Sequence, residues 1–141
     1  MKEFDKWNEI KKETQKINTK VTIKPREIWW VKIGYNVGSE EYGKDKYFTR
    51  PVIVVKQLSS DLFVGIPTTT AIKQDCDYYH NIKYIDRKKK SINSYAMINQ
   101  LRTFSKKRVG SKIGIINKND FEKIQQKMLK VLFPSTKPRT W

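Results

Sequence analysis

The chain has 141 residues, the length of one ordinary domain, and its 30 lysine and arginine residues outnumber 14 acids to give a formal net charge of +16. A surface this basic favours polyanions, and nucleic acid is the commonest polyanion inside a cell. Cys76 is the only cysteine, which excludes an internal disulfide. No stretch approaches the roughly 20 apolar residues of a membrane span, and the start lacks a secretion signal, so we expect a cytoplasmic protein with no membrane partner.

The first third of the chain predicts a helix, a linker, a strand and a long loop. Residues 3–18 are rich in Lys, Glu and Gln and favour an amphipathic helix, packed as a lid on the core. Residues 19–24 read as a linker with room for a short strand at 21–23, and 27–33 predict the first firm strand. The polar loop 34–49 contains glycines and charged residues, and a loop of this length more often has a function than serves only to connect two strands. The apolar positions of the helix are Phe4, Trp7, Ile10 and Ile17.

A hairpin forms the predicted centre of the molecule. Residues 51–57 and 62–68 are rich in Ile, Val and Thr, which favour a half-buried sheet, and the turn signal at 59–61 joins them. Arg50 precedes the first strand, and three threonines end the second, so the hairpin brings them towards one end of the sheet. A guanidinium beside hydroxyls suits a phosphate. The threonines are Thr68, Thr69 and Thr70.

The second half predicts shorter elements. A polar loop at 73–81 precedes a short strand at 82–85, and Arg87-Lys88-Lys89-Lys90 forms a basic turn that is a candidate phosphate contact. Residues 112–116 predict the last strand. The order of helix, four or more strands and helix favours a small, mostly antiparallel barrel with helices packed on it. We divide the chain into an N-terminal helix and linker (1–24), a barrel domain (25–134) and a frayed tail (135–141).

The final helix has the clearest local signals. Asn117 is a good N-cap, Asp120 places an acid in the positive first turn, and Pro134 ends the helix. One apolar stripe faces the core. It consists of Phe121, Ile124, Met128 and Leu132.

The sequence lacks the motifs of several common catalytic and ligand-binding sites. The sequence has no His-Glu-x-x-His motif, no cysteine pair and no glycine-rich phosphate loop, so we predict no metal and no cofactor. His80 is the only histidine, which excludes a two-histidine ribonuclease mechanism. A histidine in a polar loop is more often a surface residue than an acid–base group, and Cys76 has no activating base nearby in the sequence.

Five short motifs carry a resemblance to a known family. They are Trp30-Val31-Lys32, Gly38-Ser39-Glu40-Glu41, Arg50-Pro51-Val52-Ile53-Val54-Val55, Ile66-Pro67-Thr68-Thr69-Thr70, and Asn99-Gln100-Leu101-Arg102-Thr103-Phe104 with Arg108. Their order resembles the MazF/PemK (Kid) toxins of bacterial toxin–antitoxin systems over about residues 26–133. The resemblance implies an SH3-like barrel that forms a homodimer and cleaves single-stranded RNA at short sequences without a metal. The implied products are a 2′,3′-cyclic phosphate and a 5′-hydroxyl.

The resemblance also implies site residues. Arg50 matches the family's catalytic arginine, Thr69 its catalytic threonine, with Thr68 and Thr70 as alternatives, and Glu40 the acid of the first loop. A guanidinium and a hydroxyl suit the charge that builds on the phosphorane when the 2′-hydroxyl attacks. Because arginine stays protonated, the base is open, with Glu40 as the candidate. The expected RNA-binding residues are Ser39, Thr68, Thr70, Lys56, Lys73, Arg87, Gln100 and Arg102.

Two departures from the family limit what the resemblance implies. The loop from Gly38 to Arg50 is longer than in the best-known members, so RNA preference is not inherited. In the Kid branch an acid precedes the Gln of Gln-x-Arg-Thr, with an arginine two residues before it. Asn99 and Met97 stand at those places here, so the MazF-type site is the better guide.

The expected partner is an antitoxin whose acidic, disordered segment covers the RNA groove. Two alternatives remain open. One is a protein-binding gyrase poison like CcdB, although that protein acts through a Trp-Gly-Ile carboxyl terminus and this chain ends at Trp141. The other is a non-catalytic SH3-like module that binds nucleic acid.

Overall fold

A computed structural model describes residues 21–34 and 49–134. The predicted helix at 3–18, the tail at 135–141 and most of the first loop lie outside the described residues. Between the strands lie two short 3₁₀ turns, Ile98–Gln100 and Lys106–Arg108. The main elements are β1 (Glu27–Lys32), β2 (Thr49–Gln57), β3 (Leu62–Thr69), β4 (Tyr79–Ile85), β5 (Ser91–Met97), β6 (Arg102–Ser105), β7 (Val109–Ile115) and α1 (Lys118–Leu132).

The seven strands form one antiparallel sheet. Its hydrogen-bonded order is β4-β5-β3-β2-β1-β7, and β6 pairs with the first half of β3. The predicted antiparallel architecture with a C-terminal helix is confirmed. The sheet does not close within the described strands, because β4 and β7, at the two ends of this order, approach each other without pairing. A Cβ on Gly114 of β7 would lie 2.9 Å from the carbonyl oxygen of Ile85, so glycine is needed for this approach.

Side chains on both faces of β2 are buried, because successive residues of a strand point to opposite faces. Ile53 belongs to a core between the sheet and α1, which also contains Ile28, Ile66 and Ile124. A second core lies on the other face. It contains Ile23, Val31, Ile33, Val52, Val54, Phe63 and Phe104, and the last two rings stack with centroids 5.6 Å apart. The predicted strand at 21–23 is wrong: these residues belong to no strand, although Ile23 is buried.

Helix α1 begins where the sequence predicts. The Asn117 side chain accepts a hydrogen bond of 2.7 Å from the backbone N–H of Asp120, which confirms the N-cap. Phe121 and Ile124 are buried, but Leu132 is 50% exposed, so the last position of the predicted stripe is wrong. In the described part of the chain, no helix combines the length and apolar character needed to cross a bilayer.

Candidate active-site cleft

Strands β2 and β3 part at one end of their hairpin. Their ladder ends at the pair of Val52 and Pro67. Beyond it, Thr68 and Thr69 pair with β5, whereas Arg50 pairs with β1. Because the two strands take different partners, the sheet opens between them into a cleft of about 260 Å³. The hairpin prediction is therefore confirmed, and its splayed end is the candidate functional site.

Arg50 is held at the floor of this cleft. Its side chain lines the cleft although the residue is only 2% exposed, and its Nη1 donates a hydrogen bond of 3.0 Å to the carbonyl oxygen of Thr68. In return, the Thr68 hydroxyl donates to the carbonyl oxygen of Pro51 at 3.1 Å. Both bonds bridge the parting strands, and the first holds the guanidinium in place. A fixed, permanently charged fork of donors suits a phosphate.

The threonines lie beside Arg50. Thr69 is 4% exposed, lines the cleft, and its hydroxyl oxygen accepts a hydrogen bond of 3.2 Å from the backbone N–H of Ala71. That bond occupies an acceptor site of the hydroxyl and sets its position, while the hydroxyl hydrogen can be donated elsewhere. Thr70 is exposed and also lines the cleft. Arg50 and the three threonines thus meet in one volume, as the sequence predicts.

The facing wall of the cleft is apolar and aromatic. Trp30, 40% exposed, stands at its rim with Ile113, while Tyr84 and Ile92 come from the β4–β5 hairpin. Burial, followed by the negative charge of Asp86, raises the pKa of Tyr84 to about 12. The phenol is therefore protonated at neutral pH. This wall has the character of a surface that receives a planar ring.

Asp86 closes the cleft and starts the hairpin turn. Its Oδ1 accepts hydrogen bonds from the backbone N–H groups of Lys88 and Lys90 at 2.9 and 2.8 Å. Lys89 takes a positive φ of 65°, as such a tight turn requires. The turn thereby carries an exposed basic tip next to the cleft. The tip consists of Arg87, Lys88, Lys89 and Lys90.

The other predicted RNA-binding residues are spread over the molecule. Of them, Arg87 directly follows Asp86, which lines the cleft. Lys56 is exposed near the far end of β2, and Lys73 lies 5.4 Å from the ring centroid of Tyr79 in the loop after β3. Gln100 and Arg102 are half-buried at the β5–β6 connection, where the Arg102 guanidinium lies 4.8 Å from the Phe104 ring centroid. None of these side chains lines the cleft, and Ser39 and Glu40 lie outside the described residues.

Arg102 has a second cation as a neighbour. Burial, and then the positive charge of Arg102, lowers the pKa of Arg108. Arg108 nevertheless keeps its charge at neutral pH, because a guanidinium loses its proton only in strongly alkaline solution. The two guanidinium groups concentrate positive charge at the β6 edge of the sheet.

Several residues of the cleft were missed from sequence. Trp30 lies in one of the five family motifs, whereas Tyr84, Asp86 and Ser94 lie in none of them. The sequence offers one signal, because Ile82 and Tyr84 alternate on a strand and face the same side. Ser94 pairs with Ile82 across the hairpin. That β4 and β5 face Arg50 depends on β3 changing partners, which local patterns do not reveal.

His80 lies elsewhere and is not a surface residue, which makes that prediction wrong. It is 6% exposed in β4, its Nε2 lies 3.0 Å from the Asp120 carboxylate, and its Nδ1 lies 3.0 Å from Lys127 Nζ. Lys127 also binds Asp75 at 2.7 Å. We call these four residues the His80 cluster. Burial opposes ionisation of Asp75, but the hydrogen bonds from Lys127 and from the Asn81 N–H, together with the charge of Lys127, outweigh burial and lower the pKa of Asp75.

The described residues contain no group of three His, Cys, Asp or Glu side chains placed to hold a metal ion.

Comparisons with solved structures show the fold. An endoribonuclease in complex with its cognate antitoxin from a mycobacterial species gives a TM-score of 0.62 at 13% identity, over 82% of this chain and 100% of that chain. MazF from Deinococcus radiodurans gives 0.63 at 12% identity, over 79% and 97%. A chain of the MazE–MazF complex from the same organism gives 0.57 at 10% identity, over 82% and 99%. At such low identities these likenesses establish a shared fold.

A comparison with curated proteins gives no match. The family model described as PemK-like, MazF-like toxin of type II toxin–antitoxin system matches residues 24–132. This match spans well over half of the chain and includes every described element from β1 to α1. The chain therefore belongs to the MazF/PemK family, the endoribonuclease toxins of type II toxin–antitoxin systems.

Proposed function

We propose that this chain is a metal-independent, sequence-specific endoribonuclease toxin that cleaves single-stranded RNA in the cytoplasm. The observation that carries the proposal is the cleft in which Arg50, held by the Thr68 carbonyl at 3.0 Å, lies beside Thr69. A buried, preorganised cation and a hydroxyl are the groups that stabilise charge developing on a phosphorane.

In the proposed reaction, the 2′-oxygen of the RNA forms a bond to the adjacent phosphorus and the bond to the 5′-oxygen breaks. The products are a 2′,3′-cyclic phosphate and a 5′-hydroxyl. Arg50 pairs with the equatorial oxygens, and Thr69 donates a further hydrogen bond. Glu40 is the candidate acid from the first loop that takes the 2′-proton, and the leaving oxygen takes a proton from water.

RNA reaches the cleft across a basic surface. Thr70 and Arg87 adjoin the cleft, and the net charge of +16 attracts the RNA backbone along the rest of the path. We also propose phosphate or sugar contacts from Thr68, which lines the cleft, and from the other predicted RNA-binding residues. These are Ser39, Lys56, Lys73, Gln100 and Arg102.

Two protein partners belong to the proposal. A homodimer follows from the family resemblance. An antitoxin with an acidic, disordered segment suits the same positive surface and would inhibit by covering the cleft. Among the structural relatives, one endoribonuclease was solved with its cognate antitoxin and one MazF with MazE.

The test is cleavage of a long single-stranded RNA in EDTA by the wild type, Arg50→Ala and Thr69→Ala, with fragment ends identified by mass spectrometry. We expect discrete fragments with cyclic-phosphate ends from the wild type, and a loss of at least 100-fold in both variants. RNA that is bound but never cut by the wild type would favour the non-catalytic binding module. Toxicity that is unchanged by Arg50→Ala but lost on removal of Trp141 would favour the gyrase poison.

A further inference from the structure

The described residues that line the cleft include a single acid, Asp86. A carboxylate is an unexpected neighbour for a phosphate site in a protein of net charge +16, because it repels the RNA backbone. The same carboxylate is rigid, since its Oδ1 is fixed by the N–H groups of Lys88 and Lys90. Within the described residues, its Oδ2 makes no hydrogen bond or ion pair. A fixed acceptor on a cleft wall suits a ligand with N–H donors.

The rest of that wall suits a planar, apolar face. Trp30 and Tyr84 supply aromatic surface, and Ile92 and Ile113 supply aliphatic surface. Aromatic side chains are the usual platforms for unpaired bases of single-stranded nucleic acid. The cleft volume of about 260 Å³ lies just below the roughly 300–1,000 Å³ of sites for drug-sized ligands, so it suits one nucleobase and not a duplex.

The geometry points to a nucleobase pocket that selects guanine, with Asp86 as the residue that sets this specificity. A carboxylate accepts at about four lone-pair sites, and the turn amides occupy two of them. Guanine presents two adjacent donors, N1–H and the N2 amino group, to the two that remain. Adenine and cytosine place one amino donor beside a ring acceptor, and uracil places one N–H between two carbonyls, so each turns an acceptor towards Asp86.

The inference rests on the proposed function only in taking RNA as the ligand. The selected guanine would neighbour the phosphate bound by Arg50, because both groups line one cleft. Arg50 then governs cleavage at every site, whereas Asp86 governs which sites are cut.

Asp86→Asn is a sharp test of the pocket. The asparagine Oδ1 can still accept from the two turn amides, so the hairpin is kept, while the second acceptor becomes an N–H donor that opposes guanine. Asp77→Asn is the matched control, because it removes the same charge from an exposed residue 3.8 Å from Lys130 and outside the cleft. This control measures how much the affinity for an oligonucleotide rises when any one acidic residue is lost.

The measurement is the equilibrium affinity of wild type, Asp86→Asn and Asp77→Asn for nonamers of 2′-deoxyuridine that carry one central guanine, inosine or adenine. Inosine lacks only the N2 amino group. We expect the wild type and Asp77→Asn to bind the guanine nonamer on the order of tenfold more tightly than the other two, and Asp86→Asn to bind guanine no more tightly than inosine or adenine.

Equal wild-type affinity for guanine and inosine would overturn the inference without recourse to any variant. So would a guanine preference that persists in Asp86→Asn. These oligonucleotides have no 2′-hydroxyl, so the assay is independent of cleavage. A guanine preference without RNA cleavage would refute the nuclease and leave the pocket, whereas cleavage without the preference would refute the pocket and leave the nuclease.

Discussion

Two sets of polar groups within the described residues differ in what they face. In the His80 cluster, both ring nitrogens of His80 and the ammonium group of Lys127 are bound by other protein groups at 3.1 Å or less. None of its members lines the cleft. At the cleft, Arg50 and Thr69 are only 2% and 4% exposed, yet their side chains border an open volume.

The two sets of polar groups have different roles. Polar groups that satisfy one another across elements join those elements, and the His80 cluster joins β4 to α1. Polar groups that are held from behind by backbone, as Arg50 is by the Thr68 carbonyl, keep a face for a ligand. Substitutions in the first set should therefore cost stability, and substitutions in the second should cost cleavage.

Substitutions in the cleft should have the largest effect, which is on the rate of RNA cleavage. Thr69→Val keeps the shape of the side chain but removes the hydroxyl, and we expect single-turnover RNA cleavage to fall about 100-fold, the usual cost of one transition-state donor. Thr69→Ser keeps the hydroxyl and should retain cleavage within about tenfold. Wild-type rates in Thr69→Val would remove Thr69 from the proposed mechanism.

The His80 cluster should show the opposite behaviour. Lys127→Met leaves the Asp75 and Tyr79 acceptors and the His80 ring without their shared donor, so we expect the free energy of unfolding to fall by about 1–3 kcal/mol in urea titrations. At a temperature where the variant is folded, its rate of RNA cleavage should stay within about twofold of the wild-type rate, because no member of the His80 cluster lines the cleft.

Lys130→Met is the matched control, three residues further along α1. Its side chain is 64% exposed and lies 3.8 Å from Asp77, so its loss should cost less than about 0.5 kcal/mol. Equal losses in the two variants would show that the His80 cluster contributes no more than an ordinary surface ion pair.

A smaller effect concerns pH and Glu27, which anchors β1 to β7. Burial opposes its ionisation, but hydrogen bonds from Lys112, the Lys24 N–H and Trp29 outweigh burial and lower the pKa of Glu27 below 4.5. The associated stability is present above pH 4.5 and is lost as the pH falls through the lowered pKa. We expect Glu27→Gln to cost about 1–2 kcal/mol at pH 7 and progressively less in acid. A pH-independent difference between the two proteins would contradict the assignment.

The smallest expected effect is spectroscopic. In an alkaline absorbance titration of the folded protein, Tyr84→Phe should remove the step with a pKa of about 12. Because the charge of Asp86 contributes to that shift, Asp86→Asn should move the step towards the ordinary value of 10. A step that does not move would show that the carboxylate is not directed towards the phenol.

The sequence predicts the elements whose signals are local. The β2–β3 hairpin and the start of α1 depend on turn residues, β-branched runs and one N-cap, all within a few positions of each other. The convergence of Arg50 with Thr68 and Thr69 follows from the hairpin alone. These parts of the fold and of the candidate site were therefore accessible without a structure.

The remaining features depend on distant partners. His80 is buried because Asp120 and Lys127, 40 and 47 positions away, satisfy its ring nitrogens. Asp86 reaches the cleft because β3 exchanges β6 for β5 along its length. The sheet stays open because β4 and β7 approach through Gly114 and do not pair. No periodicity or spacing within one segment encodes these contacts.

We propose that Arg50 acts on the RNA phosphate in the cleft. Single-turnover cleavage by Arg50→Lys tests this role, with affinity for a 2′-deoxy oligonucleotide and the free energy of unfolding measured on the same protein. Lysine keeps the charge but lacks the planar fork, so we predict a rate at least 100-fold below wild type with affinity changed by less than about tenfold. Cleavage within a few-fold of wild type, by a folded variant, would contradict the account.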